Sequence, residues 1–488
     1  MSFRAHKTKI VATIGPATDT VEVMCRMIEA GLSIARLNYS HGDFEQHAQV
    51  VKNLRKAATE TGKDITIMAD LPGPKIRIGT LKQESFILRP DDRIILSSEQ
   101  FIGDWSQVSL TLPELPRVVK PGDILFLNDG LIQLRVLQSD GIRISCLIVV
   151  GGEIRSNKGI NLPDIDLGIS AFTLRDAECL KAALESGVDA ISQSFVNSAA
   201  DIKAVRKAAH DLGYDPFIIA KMERSDALGR IDEILEASDG IMIARGDLGV
   251  EIPIERLAIT QKQLIRKANI AGKPVITATQ MLESMVRNPR PTRAEATDVA
   301  NAVFDGTDCI MLSEESAIGK YPIEAIQTLA KIAAYTEQNR GIIDGDPRVS
   351  EFFRKDYPHI TDVIAEDVYH TVRHIQPELV LAHTVSGHTA RLISRFKLPS
   401  WILAVSTDAG VCKGLRFSYG VKPLLVDSCP EDWKDLLRDQ IACHEITSGT
   451  AILIEVPSDE NPRVNHRIEI IRDLAELCPI VKLGLIEN

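Results

Sequence analysis

Three charged side chains that could perform chemistry follow two short apolar runs. Lys221 and Glu223 come directly after Phe217–Ala220, and Asp247 comes shortly after Ile241–Ala244. Runs of this length are typical of buried parallel strands, and side chains at the carboxyl ends of such strands leave the packed layer and meet solvent. Glu223 and Asp247 can therefore converge from neighbouring strands as a pair of hard oxygen ligands, which suits Mg²⁺.

The residues beside this acid pair favour an anionic substrate. Lys221 would stand next to the ion as a fixed positive charge, and Gly246 would let backbone amides approach an anion closely. A divalent ion, an ammonium group and exposed amides together describe a site for a phosphorylated substrate. The local pattern leaves an alternative open, in which the two acids only begin helices and Lys221 is a solvated surface residue.

Composition excludes several classes of function. The chain has 488 residues, which predicts three domains at about 150 residues each. Its net charge of −11 disfavours a nucleic-acid binder. Its 8 cysteines include no CxxC pair, which disfavours a zinc site and indicates reduced thiols. No apolar stretch reaches membrane-spanning length and no signal-peptide core is visible, so we expect a cytoplasmic protein without a membrane association.

Apolar runs of strand length recur along the chain, each followed by a polar corner and then a helical pattern. Eight alternating units of this kind are the number that closes a (β/α)₈ TIM barrel, although a doubly wound open sheet has the same periodicity and stays open as an alternative. The predicted strands are Lys9–Ile14, Ser33–Leu37, Ile65–Ala69, Ala190–Ser194, Phe217–Ala220, Ile241–Ala244, Val275–Ala278 and Cys309–Leu312.

A change of pattern divides this α/β chain into three domains. Residues 79–166 alternate apolar and polar positions between turns and contain no helical stretch, so they predict an inserted all-β module, a β-barrel lid above the carboxyl face. The catalytic barrel then comprises residues 1–78 and 167–342. Gly341–Pro347 has the composition of a linker, and residues 343–488 restart an α/β pattern as a C-terminal domain.

One corner of the C-terminal domain could bind a phosphate. The segment that contains Thr384, Ser386, Gly387 and Thr389 precedes a predicted helix at Ala390–Phe396. Hydroxyls, amides and a helix N-terminus favour an anion, but a plain N-cap would use the same residues and the sequence alone does not separate the two.

Polar side chains follow nearly every predicted strand, and ordinary solvent-exposed residues would not lie at strand ends so consistently. They are Arg36, Asn38, Ser40, Asp70, Arg77, Lys221, Glu223, Arg245, Asp247, Thr279, Ser313 and Glu315.

Sequence blocks around these positions resemble the pyruvate kinase family over almost the whole chain. The blocks occur in the family's order and at its separations. They begin with residues 8–16, 35–42, 70–77 and 128–132, and continue with 158–163, 219–223, 242–251, 278–285 and 291–295.

This resemblance implies transfer of a phosphoryl group from phosphoenolpyruvate to ADP in glycolysis, leaving an enolate that is protonated to pyruvate. Glu223 and Asp247 would hold Mg²⁺, with Mn²⁺ as a substitute, and Lys221 would contact the moving phosphoryl group. Amides around Gly246 and Asp247 would bind the substrate carboxylate. Thr279 would supply the route of the enolate proton.

The remaining family roles fall on residues spread along the chain. Ser313 and water would assist Thr279, and Arg36 would contact both substrates. The nucleotide-binding positions are Arg36, Asn38, His41 and Arg77. The C-terminal domain resembles the family's regulatory domain, so Thr384, Ser386, Gly387 and Thr389 would bind a sugar-phosphate or nucleotide-monophosphate effector. The family is typically homotetrameric.

One departure concerns the monovalent cation. Family members that need K⁺ hold it with positions matching Asn38, Ser40, Asp70 and the carbonyl of Leu71, and they carry a glutamate where this chain has Lys75. The sequence therefore resembles the K⁺-independent type, in which a fixed ammonium group replaces the mobile ion.

Two other functions use similar residues. A barrel lyase or aldolase would stabilise an enolate with Mg²⁺ but would not need Arg36, Arg77 or the lid, which serve a nucleotide. A regulatory paralogue that binds sugar phosphates without turnover would not need the complete set of Lys221, Glu223 and Asp247.

Overall fold

Eight parallel strands close into a barrel, which confirms the TIM-barrel prediction and excludes the open sheet. The computed structural model describes residues 3–163, 165, 168–340, 360–430, 432–444, 449–457 and 465–472. Around the barrel the strands are β1 (Lys9–Thr13), β2 (Leu32–Asn38), β3 (Thr66–Leu71), β12 (Ala190–Gln193), β13 (Phe217–Met222), β14 (Gly240–Ala244), β15 (Val275–Ala278) and β16 (Cys309–Leu312).

The barrel strands are buried on both faces, which explains why they read as continuous apolar runs rather than as alternating ones. One set of side chains, including Val11, Met68 and Met242, packs in the barrel interior. The other set, including Ile67 and Ile243, packs against the surrounding helices. The strands cannot shift along one another without exposing one of these layers, so the positions of their carboxyl ends are fixed.

Cap residues set the limits of the barrel helices. Asp43 and Thr292 form capping boxes at the start of two helices, and Gly62 and Gly306 end the same helices in the left-handed conformation. In chain order the helices are α1 (Val21–Ala30), α2 (Phe44–Thr61), α3 (Leu115–Val118), α4 (Leu174–Ser186), α5 (Ala199–Asp211), α6 (Ser225–Gly229), α7 (Ile231–Ala237), α8 (Arg245–Glu251), α9 (Leu257–Ile270), α10 (Arg293–Asp305), α11 (Glu314–Ala317), α12 (Pro322–Gln338), α13 (Ile360–Ile375), α14 (His388–Ser394), α15 (Ala409–Leu415) and α16 (Trp433–His444).

The inserted module follows β3, as predicted, and has its own apolar core. A six-stranded sheet has the order β11-β7-β8-β9-β5-β6, and β10 pairs with β4. Single-residue bridges from Arg77 to Gly159 and from Ile78 to Leu110 join the two edges of the larger sheet, so its strands surround the core. The strands are β4 (Ser85–Leu88), β5 (Arg93–Ser97), β6 (Gln107–Ser109), β7 (Ile124–Leu127), β8 (Ile132–Ser139), β9 (Arg143–Val150), β10 (Gly152–Arg155) and β11 (Ile160–Asn161).

The expectation that this module contains no helix is wrong at one place. Helix α3 forms a single turn with Pro116 in its first turn, where the missing proline N–H is not needed. A turn this short has no periodicity that a sequence pattern could display.

The C-terminal domain has a five-stranded sheet, of which three strands are predicted by apolar runs at residues 378–382, 401–405 and 451–456. Strand β19 was missed because Pro423 lies within it, and proline is tolerated in edge strands but argues against a strand in a sequence pattern. Strand β21 is an antiparallel edge strand and was also missed. In spatial order the strands are β19 (Val421–Leu425), β18 (Trp401–Ser406), β17 (Leu379–His383), β20 (Ala451–Glu455) and β21 (Arg467–Ile471).

Two helix predictions differ from the structure in their limits. Helix α14 begins at His388 rather than Ala390, because Gly387 adopts a positive φ of 78° and starts the helix earlier. The pattern of residues 254–270, followed by Gly272 and Pro274, predicts a single helix, whereas the structure has a 3₁₀ turn at Ile254–Arg256 before α9. The predicted linker at Gly341–Pro347 lies outside the described residues. In the described part of the chain, no helix combines the length and apolarity needed to cross a bilayer.

Candidate active site

Lys221 is the centre of a buried ionic network at the carboxyl end of the barrel. Its ammonium group donates to Ser194 Oγ at 2.6 Å and lies 2.8 Å from Glu223 Oε1 and 3.3 Å from Asp70 Oδ2. Burial lowers the pKa of Lys221, but Asp70 and Glu223 outweigh that effect and raise it overall. Lys221 is therefore a fixed cation shared by two acids that arrive from different strands.

Glu223 and Asp247 form a pair of like charges. Glu223 is 1% exposed, and one of its oxygens accepts the Phe195 amide at 2.7 Å. Burial raises the pKa of Glu223, Lys221 lowers it, and the nearby Asp247 raises it again. Asp247 lies half-buried in the first turn of α8. Across the residues that the structure describes, its carboxylate accepts no hydrogen bond and forms no ion pair.

This acid pair fits a divalent cation that takes further ligands from a substrate. A cation would relieve the repulsion that raises the Glu223 pKa, and Mg²⁺ commonly uses one or two protein carboxylates plus waters and phosphate oxygens. The described residues contain no cluster of three or more His, Cys, Asp or Glu suited to a metal. The remaining ligands would therefore come from waters and substrate oxygens.

Asp70 connects Arg36 to Lys221. The Arg36 guanidinium pairs with Asp70 Oδ2 through two nitrogens, and its Nη1 donates to Thr13 Oγ1 at 2.9 Å. Ser192 donates to the other Asp70 oxygen at 2.8 Å. Burial raises the pKa of Asp70, but Lys221 and Arg36 outweigh it and hold the pKa below its ordinary value. Asp70, predicted for the monovalent-cation region, is here the anchor of two cations.

Cationic side chains gather where the nucleotide was predicted to bind. Burial lowers the pKa of His41, and the charges of Arg77, Lys75 and Arg36 lower it further, so these groups lie near one another. Arg77 also donates to the Asn157 carbonyl of the lid at 2.8 Å. This side of the barrel mouth is suited to an anion such as a polyphosphate.

The other residues of the predicted monovalent-cation region have separate environments. Asn38 lies at the end of β2, and its side-chain oxygen accepts the Ser40 amide at 3.1 Å. Leu71 is fully buried at the end of β3. Lys75 is exposed four residues later, beyond a turn at Gly73 whose amide donates to Asp176 at 2.8 Å. The structure thus leaves the Lys75 ammonium facing solvent near the mouth.

Thr279 has an unusual backbone conformation beside Asp247. Its φ is +67° and that of Gln280 is +54°, in a region that β-branched residues rarely adopt. Its hydroxyl accepts the Gly246 amide at 2.8 Å and donates to the Ala278 carbonyl at 2.6 Å. Arg245, which also follows a predicted strand, donates to the Thr279 carbonyl at 2.7 Å and supports this turn. Such strain is commonly found at functional sites.

Ser313 is positioned by a buried acid. Glu315 is 2% exposed and accepts the amides of Ser313 at 2.7 Å and Leu282 at 3.1 Å. Burial raises the pKa of Glu315. Glu315 therefore orders two loops at the mouth, whereas its neighbour Glu314 is exposed.

Sequence reasoning missed the contribution of β12. Ser192 and Ser194 hold Asp70 and Lys221, and the Phe195 amide holds Glu223. The signal was present, because two serines interrupt an otherwise apolar strand end, but single hydroxyls are common at strand ends and did not stand out.

The predicted effector corner presents a mixture of buried and exposed hydroxyls. Thr384 and Thr389 are buried, whereas Ser386 is exposed. Arg391 donates to the Ser386 carbonyl at 2.9 Å and so holds the loop against the helix that follows.

Comparison with known proteins identifies the family of this chain. A family profile described as "pyruvate kinase, barrel domain" matches residues 5–326, and one described as "pyruvate kinase, alpha/beta domain" matches residues 362–450. The chain belongs to the pyruvate kinase family. The resemblance of its sequence blocks to that family is thereby confirmed, and the chain is an enzyme with pyruvate kinase activity rather than a lyase or aldolase.

Relatives and a solved structure agree with this assignment. A pyruvate kinase of Thermococcus litoralis is 47% identical over 88% of this chain and 90% of its own length. One from Bacillus licheniformis is 44% identical over 85% of this chain and 71% of its own length. The crystal structure of a pyruvate kinase from Cryptosporidium parvum is 33% identical, covers 96% of both chains and superposes with a TM-score of 0.88.

Proposed function

We propose that this enzyme transfers the phosphoryl group of phosphoenolpyruvate to ADP in glycolysis, with Mg²⁺ held by Glu223 and Asp247. The observation that carries the proposal is the buried Lys221, which lies 2.8 Å from one of the two acids while the other acid has no protein partner among the described residues. Mg²⁺, when bound, would neutralise the acid pair and polarise substrate oxygens; Mn²⁺ would serve similarly.

Lys221 would stabilise the group in transit. Charge spreads over the equatorial oxygens of a phosphoryl group as it moves, and a buried ammonium group attracts such charge more strongly than a solvated one. The contacts of Lys221 with Ser194 and Glu223 fix its position before the substrate arrives. Less reorganisation is then needed during the reaction.

The first turn of α8 would bind the substrate carboxylate. The amides of Gly246 and Asp247 lie at this helix N-terminus, which favours an anion. The Gly246 amide donates to the Thr279 hydroxyl. A substrate carboxylate that accepted this hydrogen bond instead would free Thr279 Oγ1. The freed hydroxyl could then turn towards Ser313 and water as the route for the enolate proton.

ADP would bind on the cationic side of the mouth. Arg36, His41 and Arg77 surround this region, and Asn38 adds a side-chain amide. Arg36 is partly committed to Asp70 and Thr13, so it would contact a phosphate with its remaining N–H groups.

A coupled assay with phosphoenolpyruvate and ADP tests the proposal. We expect turnover that requires Mg²⁺ or Mn²⁺ and that is lost in Lys221→Ala. The variant Lys181→Ala, which removes an exposed lysine from α4, is the matched control. Turnover at full rate in the presence of a chelator, or in Lys221→Ala, would contradict the assignment.

The proposal includes independence from K⁺. Lys75 is exposed at the mouth, and its charge lowers the pKa of His41, which follows Ser40 of the predicted cation region. We expect activities with K⁺ and with tetramethylammonium to agree within about twofold, and Lys75→Glu to introduce a K⁺ requirement, because one charge pair near a protein surface amounts to a few kcal/mol at most. A strong K⁺ requirement in the unaltered enzyme would contradict the proposed independence from K⁺.

Regulation by a phosphorylated metabolite is a further part of the proposal. The exposed Ser386 hydroxyl and the buried Thr384 and Thr389 would supply contacts, with Gly387 allowing close approach. Titration with sugar phosphates and nucleotide monophosphates is the test. If every such compound acts equally on the unaltered enzyme and on the double variant Ser386→Ala and Thr389→Ala, the corner is not the effector site.

Assembly and location complete the proposal. We expect a homotetramer by sedimentation, as is typical of the family, and a dimer or monomer at assay concentration would contradict it. Six described cysteines are unpaired thiols, which supports a reducing, cytoplasmic location. Cell fractionation with an antibody against the protein would test this.

A further inference from the structure

A cavity lies where the lid joins the barrel. The chain leaves the barrel on one side of this cavity and returns on another, and the third side is formed by two charged residues of the barrel mouth. The outgoing connection contributes Pro74 and Ile76, the returning connection contributes Asn161 and Leu162, and the barrel contributes Arg224 and Glu251.

Arg224 ties the returning connection to strand β13. It directly follows the acid Glu223, and its Nη2 donates to the Ile165 carbonyl at 2.8 Å. Its side chain is 13% exposed, and its Nε is buried without a hydrogen-bond partner among the described residues. A displacement of Ile165 would therefore pull on the residue next to one of the acids.

Glu251 ties the same connection to helix α8. It is the last residue of the helix whose first turn carries Asp247, and it is 8% exposed. The Leu162 amide and the Asn161 side chain face its carboxyl group from the returning connection, and the Ser225 amide faces it from the barrel. One of its oxygens, Oε2, is buried and has no hydrogen-bond partner within the part of the chain that the structure describes.

We propose that Arg224 and Glu251 are positioning residues that couple the lid to the two metal-binding acids. Each is joined through its own backbone element to one acid, Arg224 to Glu223 and Glu251 to Asp247. Both contact the connection that brings the chain back from the lid, Arg224 at Ile165 and Glu251 at Asn161 and Leu162. A change in lid position is thus transmitted to both ligands at once. The inference rests on the proposed binding of Mg²⁺ by these acids.

Two polar atoms of this arrangement lack partners in the described part of the chain. Buried polar atoms without partners are costly, so an arrangement of the lid connections that supplied partners to Arg224 Nε and Glu251 Oε2 would be favoured. A direct contact between the two side chains, or a bridging water in the cavity, would satisfy both. A lid position that brings such a contact would therefore be favoured over one that does not.

The Mg²⁺ concentration that gives half-maximal activity is the appropriate readout, because a merely structural role would not move it. We expect Glu251→Ala and Arg224→Met to raise it about tenfold, within the range of typical coupling between sites. Glu251→Gln and Arg224→Lys, which keep a hydrogen-bonding group, should recover most of the loss. Glu255→Gln is the matched control, since Glu255 is exposed in the 3₁₀ turn that follows α8.

Two further measurements keep the test decisive. Hydrogen exchange is measured on the full-length proteins. In segment 160–165 it should be faster in the Ala and Met variants than in the unaltered enzyme, and in these variants it should no longer depend on Mg²⁺. If the Ala and Met variants do not fold, the Gln and Lys variants should show the small part of the rise in Mg²⁺ requirement that their hydrogen-bonding groups do not recover. An unchanged Mg²⁺ requirement in every folded variant would overturn the inference, whereas a lack of Mg²⁺ dependence in the unaltered enzyme would overturn the proposed function instead.

Discussion

Buried acids lie at both ends of the barrel, but their surroundings differ. At the base, an aspartate precedes every second strand in the later part of the barrel and accepts the backbone N–H of the neighbouring strand. Asp189 accepts from Ile67 at 2.9 Å, Asp239 from Ile218 at 2.8 Å, and Asp308 from Val275 at 3.2 Å. Each also has a cation, respectively Arg55, Arg206 and Lys397. Asp189 has a second one in Lys413, and Arg206 also pairs with the exposed Asp215.

At the mouth, the acids outnumber the cations that hold them. Lys221 is shared between Asp70 and Glu223, and the Asp247 charge raises the Glu223 pKa further. The same residue types therefore have matched partners at the base and too few cations at the mouth, where we propose that the metal binds. The difference teaches that the number of partners, rather than burial or residue type, separates the two kinds of site.

The largest expected effect, which would sharpen this comparison, is the loss of turnover when a charged side chain at the mouth is removed. We expect Lys221→Met to lower kcat by about 10³-fold or more, since loss of one preorganised charge at a reacting group commonly costs this much. Its unfolding temperature should fall less than that of a base variant, because Mg²⁺ can partly replace the lost charge. Steady-state kinetics and thermal unfolding with and without Mg²⁺ measure both.

At the base, the effect should be on stability alone. Asp308→Asn leaves Lys397 buried without its 2.6 Å partner and should lower the free energy of unfolding by about 3 kcal/mol, while kcat of the folded enzyme stays near that of the unaltered chain. Asp64→Asn is the control, because its pair with Arg416 is exposed and should be worth less than about 1 kcal/mol. A large loss of kcat in Asp308→Asn would break the distinction between the two ends.

A smaller, pH-dependent effect is expected at the lid hinge. Burial raises the pKa of Glu251 from 4.5 to about 7, against the opposing influence of Arg224, the Leu162 and Ser225 amides and Asn161. The folded state therefore holds a proton that the unfolded state releases, and the contribution of Glu251 to stability is lost as pH rises from about 4.5 to about 7.

The test compares the unaltered enzyme with Glu251→Gln. Gln does not titrate. Between pH 5 and pH 8 we therefore expect the free energy of unfolding of the variant to rise relative to that of the unaltered enzyme, by up to about 3 kcal/mol. The control Glu255→Gln should show no such gain. Parallel pH profiles for the unaltered enzyme and Glu251→Gln would show that this carboxyl group is not protonated in the fold.

The fold was predictable where local pattern and tertiary environment agree. All eight barrel strands were predicted because each is an apolar run between a polar corner and a helix cap. Strands β19 and β21 were not, because edge strands tolerate proline and charge and so lack a distinctive pattern. The single turn α3 was missed because four residues show no period.

The chemistry of the site was predictable in part. Lys221, Glu223 and Asp247 could be singled out because charged residues directly after an apolar strand must lie at its carboxyl end. Ser192 and Ser194 could not, because their importance comes from the acid and the amine that they contact rather than from their own type.

The sequence by itself determined that charged side chains lie at the ends of several strands of a parallel barrel, since the apolar runs show which segments are buried. Only the tertiary structure decided which of them share a partner. Strand β12 lies between β3 and β13, and its register sets Ser192 beside Asp70. Lys221 therefore reaches an acid far away in sequence as well as its near neighbour Glu223. Barrel closure makes that contact, because the order of strands around the barrel follows from packing of the whole chain and not from any local segment.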